Sequence, residues 1–193
     1  MRHNDIRDFE ANLLKQACND VELEPPLQPI TNEILSRGAI VGDESRLDIR
    51  ARGFWRKGQN AYFDVRVTNA SAETQKGKTI ESVLKKHENE KKRAYNSRVM
   101  NVEQGTFTPL IFTINGGVGS ECSAFHKNLA EKIATKTGDQ YAKVLTFIRC
   151  KLSFIILRSA ILCLRGSRSI SSKQQTNTDE NFAMNHDMAG LRS

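Results

Sequence analysis

Fifteen residues separate Asp48 from Asp64, and each acid stands in a strand-like run, Leu47 to Phe54 and Tyr62 to Thr68. A hairpin between the two runs would bring the carboxylates together, with the Arg66 guanidinium two residues beyond Asp64. Two hard oxygen donors and a cation suit metal-assisted hydrolysis: magnesium or manganese takes carboxylate and water ligands, and a nearby cation offsets charge developing on a phosphate. Side chains alternate along a strand, so Asp64 and Arg66 share one face while Phe63, Val65 and Val67 turn to the other. The same spacing is met by a solvent-facing aspartate with Arg66 as an ordinary surface partner.

A third chemical group comes from the helix expected over about Thr79 to Val99. Ile80, Val83, Leu84, His87, Ala94 and Tyr95 recur on one stripe, and Lys91 falls near its centre. Lys85, Lys86, Lys92 and Arg93 already occupy the rest of the circumference, so solvated charge had other places to go. Lys91 therefore reads either as a side chain whose stem lies on the sheet with its ammonium at the rim, or as an ammonium delivered to the two carboxylates with Tyr95 one turn further on. His87 reads as a satisfied, half-buried histidine rather than a metal ligand.

Other elements must hold these groups. Asn4 is placed as an N-cap with Asp5 and Asp8 in the first turn, and Ile6, Phe9, Leu13, Leu14 and Ala17 predict a helix over 5–18. Pro25, Pro26 and Pro29 make an extended connector, and Gly38 to Glu44 a loop. The turn from Gly53 to Asn60 mixes Phe54, Trp55, Arg56 and Lys57. That mixture suits nucleic acid, and it equally suits a tip whose Trp folds back on the core. Phe107 to Ile114 is a further strand, which Pro109 places at a sheet edge or near the strand's start. Asn115-Gly116-Gly117-Val118-Gly119-Ser120 then turns into a helix stopped by Gly138; such a turn is either a phosphate site or a plain tight turn, and it lacks the Gly-Lys-Ser/Thr ending of a P-loop. A last helix, Gln140 to about Leu164, offers Val144, Leu145, Phe147, Ile148, Leu152, Ile155 and Ile156 to the core and leaves Arg149, Lys151, Arg158 and Arg165 as phosphate contacts.

The chain has 193 residues, 38% of them apolar, which gives one domain over 1–166 and a polar segment over 167–193 that is expected to be disordered. A net charge of +7 implies an acidic partner. Nucleic acid is favoured over membrane, because the most apolar run, Leu152 to Leu164, is broken by Arg158 and is shorter than the roughly 20 residues that span a bilayer. The opening residues resemble neither signal nor transit peptide, so a nuclear or cytoplasmic, unsecreted protein is expected. Cys18, Cys122, Cys150 and Cys163 are scattered without a C-x-x-C pair, and reduced thiols are expected.

The order α-β-β-α-β-α-α, with an acid on the first strand and an acid-x-cation triplet on the second, resembles the restriction-endonuclease-like fold of the PD-(D/E)xK nucleases: an α+β (broadly α/β) core with a small mixed sheet flanked by helices. Arg2-His3-Asn4, Leu47-Asp48-Ile49-Arg50, Phe63-Asp64-Val65-Arg66-Val67-Thr68, Glu90-Lys91-Lys92-Arg93-Ala94-Tyr95, Phe107-Thr108-Pro109-Leu110 and Asn115-Gly116-Gly117 are similar to the C-terminal endonuclease region of non-LTR (LINE-type) retrotransposon polyproteins, over about residues 2–168. The resemblance implies a fragment or decayed copy without the upstream reverse transcriptase and zinc knuckle. It implies nicking of one DNA strand, whose 3′ end primes reverse transcription, with DNA as partner, the element's RNA as a second partner, and no membrane or small-molecule substrate. Asp48 and Asp64 match the two magnesium-binding acids. Arg66 stands where these nucleases usually carry lysine; arginine stays protonated and cannot act as a base, though it can steady a phosphate, and Lys91 with Tyr95 is the substitute on the following helix. Glu10 matches the extra acid that such folds sometimes place on the first helix. Arg50, Arg52, Trp55, Arg56, Lys57, Lys92 and Arg93 are the expected DNA contacts. A catalytically silent remnant that only binds nucleic acid is the alternative, favoured by the Arg66 departure.

Overall fold

The computed structural model of the protein describes residues 2–42 and 44–166. The segment 167–193, for which disorder is expected, lies outside the described residues, as do the side chains of Cys163 and Arg165. In chain order the elements are α1 (Arg2–Ala17), β1 (Val21–Leu23), β2 (Ile49–Arg52), β3 (Asn60–Thr68), α2 (Ile80–Asn101), β4 (Thr106–Thr113), α3 (Ser120–Thr137) and α4 (Tyr141–Gly166). The four strands form one mixed sheet in the order β1-β2-β3-β4, antiparallel except for the β3–β4 pair.

Alternation along β3 divides the molecule into layers. Phe63 and Val65, with Ile49, Ala51, Leu110 and Phe112, face a large apolar cluster supplied by α1, α3 and α4. Tyr62 and Phe107 face a smaller cluster with Val99 of α2 and with Leu27 and Leu47 of the long β1–β2 connection. Asp64 and Arg66 lie in phase with Tyr62, on the α2 side. Parallel pairing of β3 with β4 requires a crossover, and α2 is that crossover.

Several boundaries differ from expectation for identifiable reasons. β1 pairs with β2 through only three residues, Val21 with Ala51 to Leu23 with Ile49, too short to show a periodicity in the sequence. β2 begins at Ile49 rather than Leu47, because past Leu23 the β1 side of the ladder continues only in fragments, through Leu47 N–H to Pro25 O (3.4 Å) and a single Pro26–Arg46 bridge, where Pro25 and Pro26 have no N–H to donate. Asn4 lies inside α1, its Oδ1 3.1 Å from His3 Nδ1, so it is not the N-cap. Ile80, the first residue of α2, is exposed and does not join the buried stripe; Thr79 is the true cap, accepting from Ser82 N–H at 3.2 Å. Pro109 sits in mid-strand opposite Asp64, tolerated because β4 is, as expected, an edge strand of the sheet. Gly138 closes α3 with φ 76°, as a left-handed C-cap.

The long connection between β1 and β2 has little regular structure beyond a single Pro26–Arg46 bridge, and its most buried anchor to α2 is one side chain. Arg98 of α2 is fully buried and donates to Gln28 O (2.9 Å), Ile40 O (3.2 Å) and Gly42 O (2.7 Å). Arg98→Met removes the donor from all three carbonyls and is expected to lower stability by about 1.5–3 kcal/mol, read as a lower urea midpoint at unchanged slope. An unchanged midpoint would mean that water replaces the guanidinium at no cost.

Candidate active site

The β2–β3 hairpin and α2 converge on Asp64. Asp48 sits just before β2, and its Oδ2 accepts from Val65 N–H at 2.6 Å while lying 3.1 Å from His3 Nε2 on α1. Asp64 is 6% exposed. Lys91 reaches across from α2 to place Nζ 2.7 Å from Asp64 Oδ2, and the same ammonium lies 5.5 Å from the centre of the Tyr95 ring. Lys91 is the charged partner of Asp64 Oδ2, which is otherwise buried without one, and because a carboxylate oxygen can accept more than one bond an acceptor direction stays open. Burial pushes the Asp64 carboxyl above its ordinary value; the Lys91 charge pulls it back, and the neighbouring Asp48 charge adds to the rise. Tyr95 stacks on Phe107 at 5.5 Å, and burial together with the Asp64 and Asp48 charges raises its hydroxyl, keeping it a proton donor at neutral pH.

Arg66 does not join this group. Its Nη1 is 3.0 Å from Glu90 Oε2, and His87 Nδ1 shares that oxygen at 3.0 Å. A carboxylate only accepts, so His87 carries its proton on Nδ1 and, when neutral, accepts at Nε2 from the Thr68 hydroxyl at 3.0 Å. The bond from His87, together with the His87, Arg66 and Lys86 charges, holds Glu90 below its ordinary value against the opposing effect of burial. Both nitrogens of His87 are thus satisfied, as expected for a buried histidine.

Most of the expected DNA contacts have internal partners. Arg50 pairs with Glu22 (2.9 Å) and Asp20 (3.5 Å), Arg52 Nε donates to Gly58 O (3.3 Å), and Lys92 lies 2.6 Å from Glu121. Trp55 folds back on the core, edge-on to Phe54 and donating from Nε1 to Thr108 Oγ1 at 3.0 Å. Arg56, Lys57 and Arg93 are exposed. The tip carrying Trp55, Arg56 and Lys57 is at the far end of the β2–β3 ladder from Asp48.

Two further acids are accounted for. The N-terminus of α3, a candidate phosphate site, already holds an anion of the chain itself: Glu88, 1% exposed, accepts from Glu121 N–H (2.9 Å) and from the Ser120 hydroxyl (3.0 Å). A Cβ at Gly119 would collide with Glu88 Oε1, so the glycine serves this close approach. Glu10 is fully buried and pairs with His126 of α3 at 2.8 Å, within the helical layer behind the opposite sheet face.

Sequence reasoning did not assign a role to His3, whose contact with Asp48 spans 45 positions and depends on how α1 docks. Glu90 was likewise missed as the partner of Arg66, although its position one residue before Lys91 puts it on the neighbouring helical face. Among the described residues no set of three or more His, Cys, Asp or Glu side chains is arranged as a metal cage, and no helix is long and apolar enough to cross a membrane. Comparison with protein-family models and with curated proteins yields no match.

Proposed function

We propose that the protein is a magnesium-dependent DNA endonuclease domain of the restriction-endonuclease-like, PD-(D/E)xK type, of the kind carried by non-LTR retrotransposons, which nicks target DNA to prime reverse transcription. The observation that carries this reading is the Lys91–Asp64 pair beside Asp48: three charged groups from β3, from the residue before β2 and from the crossover helix meet at one point. The order helix, hairpin, crossover helix, parallel strand, helix supports the same fold reading.

The residues fit a hard, oxygen-preferring cation in a specific respect. Asp64 Oδ2 is buried with an acceptor direction left open, and Asp48 is near enough for its charge to raise Asp64. Asp48 and Asp64 would hold the ion, with phosphate oxygen and water completing its shell, and the ion when bound would lower the pKa of a water and neutralise phosphate charge. The chain's own groups supply the rest. Val65 N–H and His3 orient Asp48, Lys91 sets the charge state of Asp64, and Tyr95 offers a protonated hydroxyl beside them. Lys91 stands beside the acid pair while Arg66 is turned to Glu90, so the cation near the scissile phosphate comes from α2.

The direct test is nicking of supercoiled plasmid by the purified chain with magnesium, with manganese and with EDTA. Nicking that needs the metal supports the reading. Binding without nicking would instead support a silent remnant, a reading favoured by the engagement of Arg66 with Glu90. Lys91→Met is expected to slow nicking about tenfold to a hundredfold, as loss of a group that positions a ligand does. It should also move the acid limb of the pH profile upward, because the charge that pulls Asp64 down is gone. A limb that stays in place would remove Lys91 from the site.

A further inference from the structure

On the sheet face away from Asp64, the turn after β4, α3 and α4 border a cleft of about 280 Å³. Its polar side chains are Ser123, His126, Arg149 and Ser153, and Val118, Leu152 and Ile156 form an apolar side. Among the described residues no carboxylate lines it. Arg149 is exposed, and α4 contains no acidic residue that could pair with it along its own helix.

His126 is 3% exposed, and its Nε2 lies 2.8 Å from Glu10 Oε1. The Cys122 sulfur is 3.9 Å from Nδ1 and 3.9 Å from Nε2, and a sulfur equidistant from both ring nitrogens lies along neither N–H. Held charged by Glu10, the imidazole has two N–H donors, of which Nε2 serves Glu10 and Nδ1 has no acceptor in line. A buried donor left without an acceptor is costly, and this one belongs to a ring in the wall of a cleft whose other cation also lacks a counter-charge.

We propose that this cleft binds a small organic monoanion, an aliphatic carboxylate whose head group meets Arg149, His126 and the Ser123 hydroxyl and whose tail lies on Val118, Leu152 and Ile156. Charge selects a monoanion. The His126 charge is offset by Glu10, so Arg149 is left as the one uncompensated charge of the lining, enough for a carboxylate but not for a doubly charged phosphate. Donor chemistry selects the head group, because a guanidinium offers a carboxylate paired N–H bonds. Ser153 adds no donor, since its hydroxyl already serves Arg149 O at 3.0 Å. The apolar side selects the tail: a sugar-phosphate backbone would satisfy Arg149 but set polar sugars against Leu152 and Ile156. The inference is independent of the Asp48–Asp64 site.

The full chain is titrated with sodium hexanoate while the imidazole C–H signals of His126 are followed by NMR, and in parallel with hexan-1-ol, sodium acetate and dimethyl phosphate. Hexanoate is expected to shift the His126 signals saturably and to bind at least about tenfold tighter than each of the other three. Arg149→Gln changes an exposed side chain, so the thermal midpoint of the free protein should stay in place while hexanoate binding weakens about tenfold or more, as loss of a charged hydrogen bond does. Absence of saturation below about 10 mM hexanoate overturns the proposal, and so does unchanged binding by the folded Arg149→Gln variant. Hexan-1-ol binding as tightly as hexanoate would make the cleft an apolar site without anion selectivity. Acetate doing so would remove the tail from the recognition, and dimethyl phosphate doing so would assign the cleft to a phosphodiester; each of these results also overturns the proposal.

Discussion

Asp64→Asn is expected to reduce metal-dependent nicking by about 10²–10³-fold while leaving DNA affinity equal or higher. Asparagine keeps the shape and one acceptor oxygen but removes the charge that would hold a divalent ion, and it also removes a negative charge from a surface meant to face phosphate. Asp48→Asn should lose nicking in the same way, since Val65 N–H can still donate to the amide oxygen and keep the loop in place. Folding can be separated from chemistry by pH. The folded carboxyl of Asp64 lies above its ordinary 3.8, so the folded state binds the extra proton, and stability falls as pH rises from 3.8 through the folded value. Asp64→Asn lacks that slope. Activity runs the opposite way: the ionised form binds metal, so the parent should lose nicking on acidification at a higher pH than an ordinary aspartate would. A variant that folds, binds DNA and does not nick locates the defect in the site. If both Asn variants nick at the parent rate, Asp48 and Asp64 are not the metal acids.

The legible part of the site was the part governed by short-range geometry. Alternation put Asp64 and Arg66 on one strand face, and helical spacing put Lys91 and Tyr95 on the face of α2 that meets the sheet; the structure brings Lys91 to Asp64. What spacing cannot convey is which of two acids a cation selects. Arg66 is in phase with Asp64 but two residues along, about 7 Å, and at that distance Glu90 on the crossing helix is the nearer carboxylate. The basic residues show the same limit. Arg50 and Lys92 look free in the sequence because their partners, Glu22 on β1 and Glu121 on α3, are brought to them only by strand pairing and helix packing. β1 itself was hidden by its length, and the role of Gly119 by its dependence on Glu88, 31 positions earlier. His3 is the sharpest case: the residue stands in a recognisable Arg2-His3-Asn4 run, yet nothing local says that it reaches Asp48.

The other large effect lies on the opposite face of the sheet. Glu10 and His126 are both buried and meet at 2.8 Å, with Cys122 Sγ 3.9 Å from the same ring. Burial alone would push His126 down, but the Glu10 charge, helped by Cys122 and the hydrogen bond, outweighs it and holds the imidazole well above 6.5, while burial pushes the Cys122 thiol up. A histidine with a raised folded value contributes stability in full below 6.5 and loses it as pH rises through that folded value. Glu10→Gln leaves the imidazole buried without a counter-charge and is expected to cost about 3–5 kcal/mol at pH 6, the usual result of breaking one side of a buried pair. The pH dependence should also invert. With the carboxylate gone, burial governs His126, its folded value drops below 6.5, and the variant becomes less stable on acidification where the parent becomes more stable. Denaturation midpoints of both proteins across pH 5–9 check this, and parallel curves would show that the pair is neutral. The same variant decides whether Glu10 belongs to the metal acids. Its carboxylate points into the α1–α3 layer rather than toward Asp64, so Glu10→Gln, assayed where it is folded, should nick at the parent rate; a loss as deep as that of Asp64→Asn would place Glu10 in the site.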